Sequence, residues 1–274
     1  MTEAVVTAPP VSRAFSNSLL KGAATFWFLV AAIGHWIFTV YVLGYYGPLL
    51  FQGGVEALSN THLPNGFVRG DAVGNAAVVA HLLLAVVIIG GGPLQLIPRV
   101  RARFPRFHRW LGRTYLLTAV TSAVTGLYMV WARGTIGDMV QHIAISLDGV
   151  LIIVFAAFAV RYAIARNIRM HRRWALRLFM VASAVWFYRV GLMGWVFVTG
   201  GIGVDFDTFT GPFIAFWGFA QYLLPLAVLE LYFRAQDSAD ASGRIAMAAS
   251  LVVLTVAMGI GIFAATAGMW LPRL

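Results

Sequence analysis

The sequence predicts an all-α, polytopic membrane helical bundle of about seven transmembrane helices, and three observations carry that prediction. Hydrophobic residues fill 60% of the 274 positions and charged residues only 11%, a balance foreign to ordinary soluble domains. The apolar residues are gathered into seven runs, each long enough to cross about 30 Å of hydrocarbon as a helix. Arginines cluster between alternate pairs of runs, as membrane orientation requires.

Taken in order, residues 1–21 read as a polar cytoplasmic tail with Pro9 and Pro10 and no cleavable signal peptide. Residues 22–274 read as a single transmembrane domain. Spans are expected at about 22–44, 73–97, 110–132, 139–165, 173–199, 211–234 and 244–270. The segment 45–72 is the longest loop expected, a short cap over the outer face. The run GGGP at 90–93 could bend span two or simply end it.

The basic residues orient the bundle. Arg13 and Lys21 precede span one, six arginines from Arg99 to Arg113 lie between spans two and three, and six from Arg161 to Arg177 flank the turn between spans four and five. With Arg234 and Arg244 they mark one side, which the positive-inside rule assigns to the cytoplasm. The N-terminus is therefore expected in the cytoplasm and the C-terminus outside, in what reads as a bacterial inner membrane. The net charge of +10 follows from this placement, and no nucleic-acid partner is expected. The lipid bilayer is the expected partner, with anionic headgroups at the arginine-rich loops.

No cysteine is present, which excludes disulfides, iron–sulfur clusters and covalently attached haem. The single lysine, Lys21, precedes span one and leaves no Schiff-base position for retinal. Chemistry therefore points to the histidines. His81 in span two lies roughly 12 Å below the outer surface at about 1.5 Å per residue, and His142 opens span four from the same side. His108 and His171 stand at the cytoplasmic mouths of spans three and five, so the four form an outer and an inner pair. Within any one helix no two histidines are three or four residues apart, so a zinc protease motif is absent. Two imidazoles from facing helices are what a haem iron needs. The competing reading gives the small residues near His81 and His142 no role beyond close helix packing.

Three further polar groups lie within the spans. Arg189 and Asp148 fall at similar depth and are expected to form a buried ion pair. The functional alternative has Arg189 holding a haem propionate or a quinone oxygen while Asp148 relays protons. His35 could serve as a substitute ligand, a quinol-site base or a hydrogen-bonded core histidine, the last being favoured.

The motif HRWLGRTY at 108–115, followed by MHRRWALR at 170–177, resembles a bacterial family of predicted membrane proteins, domain-of-unknown-function family 2306, over about residues 73–195. Histidines on four consecutive spans, alternating outer and inner, also resemble the di-haem core of cytochrome b561 and the ferric-reductase transmembrane domains. The resemblance implies non-covalent haem b within residues 73–199 and electron transfer across the membrane. His81 and His142 would then ligate an outer haem, and His108 and His171 an inner one. In that pattern the inner ligands lie inside the helices, whereas here they stand at the helix mouths. Arg109, Arg113, Arg172 and Arg173 could clamp inner propionates bidentately, and topology with anionic lipid binding explains the same residues.

The function expected is that of a haem b membrane electron carrier or oxidoreductase, with a quinol or another reductant as donor and a redox partner as acceptor. The alternatives are a non-catalytic subunit of a larger membrane complex and a small-molecule transporter using the buried Arg, Asp and His residues.

Overall fold

The computed structural model describes residues 13–63, 65–134 and 137–274. Among them the chain is predominantly helical, with one isolated β-bridge between Asp205 and Thr210, and six helices are long and apolar enough to cross a membrane, or seven spans when a bent pair counts as one. Each predicted span appears. The first, α1 (Arg13–Gly53), has 41 residues, roughly 61 Å at about 1.5 Å per residue, and so reaches well beyond the hydrocarbon. About a third of the expected outer loop is therefore α-helix, with Pro48 tolerated near its end. A short 3₁₀ turn, Val55–Asn60, follows.

The helix starts are written in side chains that satisfy backbone N–H groups otherwise left unpaired in the membrane interface. Asp71 caps α2 (Ala72–Leu96) by accepting from Gly74, 2.8 Å. The run GGGP does not end α2. Pro93 sits buried inside it, and Gly92 admits Phe179 and Tyr115, whose rings would stand 3.0 and 3.2 Å from an added Cβ. Helix α3 (Pro98–Arg103) lies across the arginine-rich end and precedes α4 (Pro105–Tyr128), which closes in a π-helical turn at Met129–Arg133. Asp138 caps α5 (Met139–Ile164).

The fifth span is broken. It consists of α6 (Ile168–Ala182), capped by Asn167, and α7 (Ala184–Thr199), bent by 51° at Ser183. Helix α8 (Pro212–Asp237) and helix α9 (Ala241–Ala265), capped by Asp240, complete the bundle. Helices α1, α2, α4 and α5 pack each on the next, α6 and α8 continue from α5, and α9 returns to α1. The interior residues Leu178, Phe179, Val181, Trp186 and Val190 show that the α6–α7 pair occupies the core.

Two arginines placed in the sequence by topology alone are structural fasteners. Arg133 donates to Asp71 at 2.9 Å, to the Asn65 carbonyl and to Asn75, tying the outer loop to both ends of the α2–α4 hairpin. Arg244, 1% exposed, donates to Ser16 and to the carbonyls of Ser238 and Ala239, fixing the α8–α9 turn against the start of α1. Truncating it removes all three hydrogen bonds and empties the buried site that the side chain fills. Arg244→Ala is expected to cost about 3 kcal/mol, against about 0.5 kcal/mol or less for the exposed Arg234→Ala, measured by reversible unfolding in mixed micelles.

Candidate functional site

The sequence placed six histidines, and the structure sorts the five outside the outer loop into three environments. His35 on α1 is fully buried. Its Nδ1–H donates to the Ala31 carbonyl at 2.7 Å, and its Nε2 accepts from the Ser183 hydroxyl at 3.1 Å. Trp186 and Phe179 flank the ring at centroid distances of 4.0 and 5.5 Å. With both nitrogens engaged, His35 is a core histidine that ties α1 to the break in the fifth span, and it has no lone pair left for iron.

The outer pair contacts different parts of α4 and the turn that follows it. His81 on α2 shares a hydrogen bond through Nδ1 with the Ser122 hydroxyl of α4, 3.3 Å, and its edge lies over Gly126, where an added Cβ would be 3.7 Å away. That bond occupies one of its two ring nitrogens. His142 on α5 leans edge-on against Trp131, 6.0 Å between centroids, and its buried Nε2 has no hydrogen-bond partner among the described residues. Helix α4 packs against both α2 and α5 and stands between the two histidines' helices.

Arg189 on α7 lies within electrostatic reach of His81. Its guanidinium donates to the Val185 carbonyl at 3.2 Å, sits 5.4 Å from the Phe38 ring, and is surrounded by Tyr41, Tyr46 and Tyr188. The expected Arg189–Asp148 pair does not form: the described ion pairs do not include it, and Oδ1 of Asp148 is buried without a partner. The reason is azimuth. The depths agree, but the 51° bend carries α7 onto α8 and α9, while α5 packs on α4, α6 and α8. Asp148 is instead within electrostatic reach of Tyr222 of α8, whose hydroxyl is also unpartnered. Arg189 remains a cation with no carboxylate beside it, among the described residues.

The two inner histidines lie within electrostatic reach of one another. His108 feels the charges of Arg101, His171 and Arg109, and its buried Nδ1 has no partner. His171 donates Nδ1–H to the Ala159 carbonyl of α5 at 2.9 Å, which fixes its tautomer with the Nε2 lone pair free. The four arginines expected around this pair separate. Arg109 is exposed beside His108, and Arg113 is exposed over the Trp110 ring, 5.2 Å away. Arg173 is committed to Asp237 at 2.5 Å and to the face of Phe233. Arg172 turns away from His171, as the 100° step between consecutive helical residues requires, and reaches Tyr232 on α8.

Sequence reasoning missed two features of the basic end. Arg177 and Glu230 form a bidentate ion pair, 2.6 and 2.9 Å, that locks α6 to α8. A cavity of about 960 Å³ opens between α1, the α6–α7 pair, α8 and α9, and no histidine lines it. Its signal in the sequence is faint, a GxxG at Gly191 and Gly194 on α7 and a Gly at 261 on α9.

No curated protein and no solved structure matches the chain. Residues 78–232, more than half of the chain and the segment holding all four paired histidines, match the sequence model of the family described as "Predicted membrane protein (DUF2306)". The chain belongs to that family of membrane proteins.

Proposed function

We propose that the chain is a haem b-containing integral membrane electron-transfer protein, an oxidoreductase of the bis-histidine type, with its cofactor held among α2 to α6 and electrons passing between a quinol or other reductant and an acceptor. The observation that carries the reading is the set of open nitrogens. His142 Nε2 and His108 Nδ1 are buried without partners, a state that costs about 1–3 kcal/mol each unless something else binds there. His81 and His171 each use Nδ1 on a neighbouring helix, the second-sphere bond that orients a metal-binding imidazole.

The donor type suits the group, since imidazoles are what a bis-histidine haem takes, and at the outer pair the haem would have to sit along α4, which stands between the two helices. His81 and His142 would hold an outer haem, and His108 and His171 an inner one. Haem b would supply a one-electron Fe(III)/Fe(II) couple. The chain's own part is positional and electrostatic: Ser122 and Ala159 orient rings, Arg189 offers a guanidinium to a propionate, and Tyr41, Tyr46 and Tyr188 surround that cation. Arg109 has the same role open to it beside His108.

Protein purified in mild detergent from haem-replete cells should be coloured and show a b-type spectrum that changes on reduction with dithionite. A colourless preparation, or colour removed by washing in detergent, overturns the proposal.

A further inference from the structure

The large cavity has a chemistry of its own. It runs along α8 from Tyr232 to Phe213, roughly 28 Å at about 1.5 Å per residue, which is close to the thickness of the hydrocarbon core. Its walls are aliphatic and aromatic, and its volume of about 960 Å³ lies at the upper end of ligand-binding pockets, about 300–1,000 Å³. Leu224 and Ile260 on its lining are exposed, so it opens sideways to the bilayer.

All its charged residues are cations, and all belong to the basic end: Lys21 of α1, Arg99 of α3 and Arg172 of α6. Each is exposed, and none pairs with a carboxylate among the described residues. Nearby arginines behave otherwise, since Arg173 and Arg177 are each matched by an acid from α8. Three helices thus bring unmatched positive charge to one end of an apolar slot that carries no acid. That is the complement of an amphiphile with an anionic head and a long chain.

We infer that the cavity is a binding site for an anionic phospholipid of the cytoplasmic leaflet, its phosphate against Lys21, Arg99 and Arg172 and one acyl chain between α7, α8 and α9. The site is separate from the histidines.

The test is native mass spectrometry of the full-length chain in mild detergent, titrated with dioleoyl-phosphatidylglycerol or dioleoyl-phosphatidylcholine, which share their chains. One tight adduct is expected, with phosphatidylglycerol favoured about tenfold or more. Combined Lys21→Gln, Arg99→Gln and Arg172→Gln should abolish the preference while chains still bind weakly. Leu254→Trp with Ala257→Trp, which narrows the slot without touching the cations, should weaken both lipids about tenfold. Equal binding of the two lipids by the unaltered chain overturns the inference, as does a preference that survives loss of the three cations. Unweakened binding to the tryptophan variant places the lipid on the outer surface and overturns the cavity. Displacement of phosphatidylglycerol by an equal concentration of ubiquinone reassigns the slot to a neutral quinone and overturns the anionic occupant.

Discussion

His81→Ala and His142→Ala are each expected to remove the outer haem, leaving half the haem per protein, and His108→Ala or His171→Ala to remove the inner one. Alanine variants alone leave a structural role open, because His81 also holds Ser122 and His171 holds Ala159. The methionine variant separates the two. His142→Met keeps a soft ligand of similar reach, so haem should remain, with an altered reduced spectrum and a potential raised by thioether ligation. His35→Ala is the internal control. Its ring makes two hydrogen bonds and lies between Trp186 and Phe179, so its loss should destabilise the fold by about 3 kcal/mol with haem stoichiometry unchanged in the folded fraction. Arg189→Gln should retain haem and lower the outer potential by tens of millivolts, on the order expected when a nearby cation is removed. Full haem content in both His81→Ala and His142→Ala would refute the ligand assignment.

Much of the fold was legible because membrane segments state their length directly. Six of the seven apolar runs fall within about five residues of their helices, α1 alone running nine residues past its run at each end, and Asp71, Asp138, Asn167 and Asp240 cap four of the starts by accepting from first-turn N–H groups. Depth was legible too, since it follows from rise per residue. Azimuth was not. Arg189 and Asp148 share a level yet face different neighbours, because the bend at Ser183 occurs in FMVASAV without proline or glycine to announce it. Arg172 shows the same limit within one helix, adjacent in sequence to His171 and directed to another compartment. Arg133 and Arg244 were legible only as topology signals, because several of their partners lie far off in sequence, Asp71, Asn75 and Asn65 for Arg133 and Ser16 for Arg244, and the rest are backbone carbonyls that any residue supplies. The lateral cavity arises where α8 and α9 stand apart, a relation between helices that leaves no period in either.

Gly261→Val should be among the most damaging single substitutions in the bundle, with Gly259→Ala two residues earlier neutral or stabilising. An added Cβ at Gly261 would stand 2.5 Å from the Val190 carbonyl oxygen and 2.7 Å from Val190 Cγ1, and one at Gly194 would stand 3.1 Å from Gly261 Cα. The obstacle at Gly261 includes backbone, which no rotamer change removes. Helices α7 and α9 would have to separate, and α7 cannot yield toward α8, because Trp217 already occupies the space at Gly191, 1.8 Å from an added Cβ. In a membrane this costs more than area lost, since close approach of small residues is itself the main source of helix association. Overpacking of this kind costs about 3 kcal/mol. Gly259 has no atom within 4 Å of the same position, so alanine there only removes glycine's helical penalty of up to about 1 kcal/mol. The displaced α7 also carries Arg189, so the surviving folded fraction of Gly261→Val should show a shifted outer potential as well as lower resistance to unfolding in sodium dodecyl sulfate. Equal stability of the two glycine variants would show that α7 and α9 are not in backbone contact.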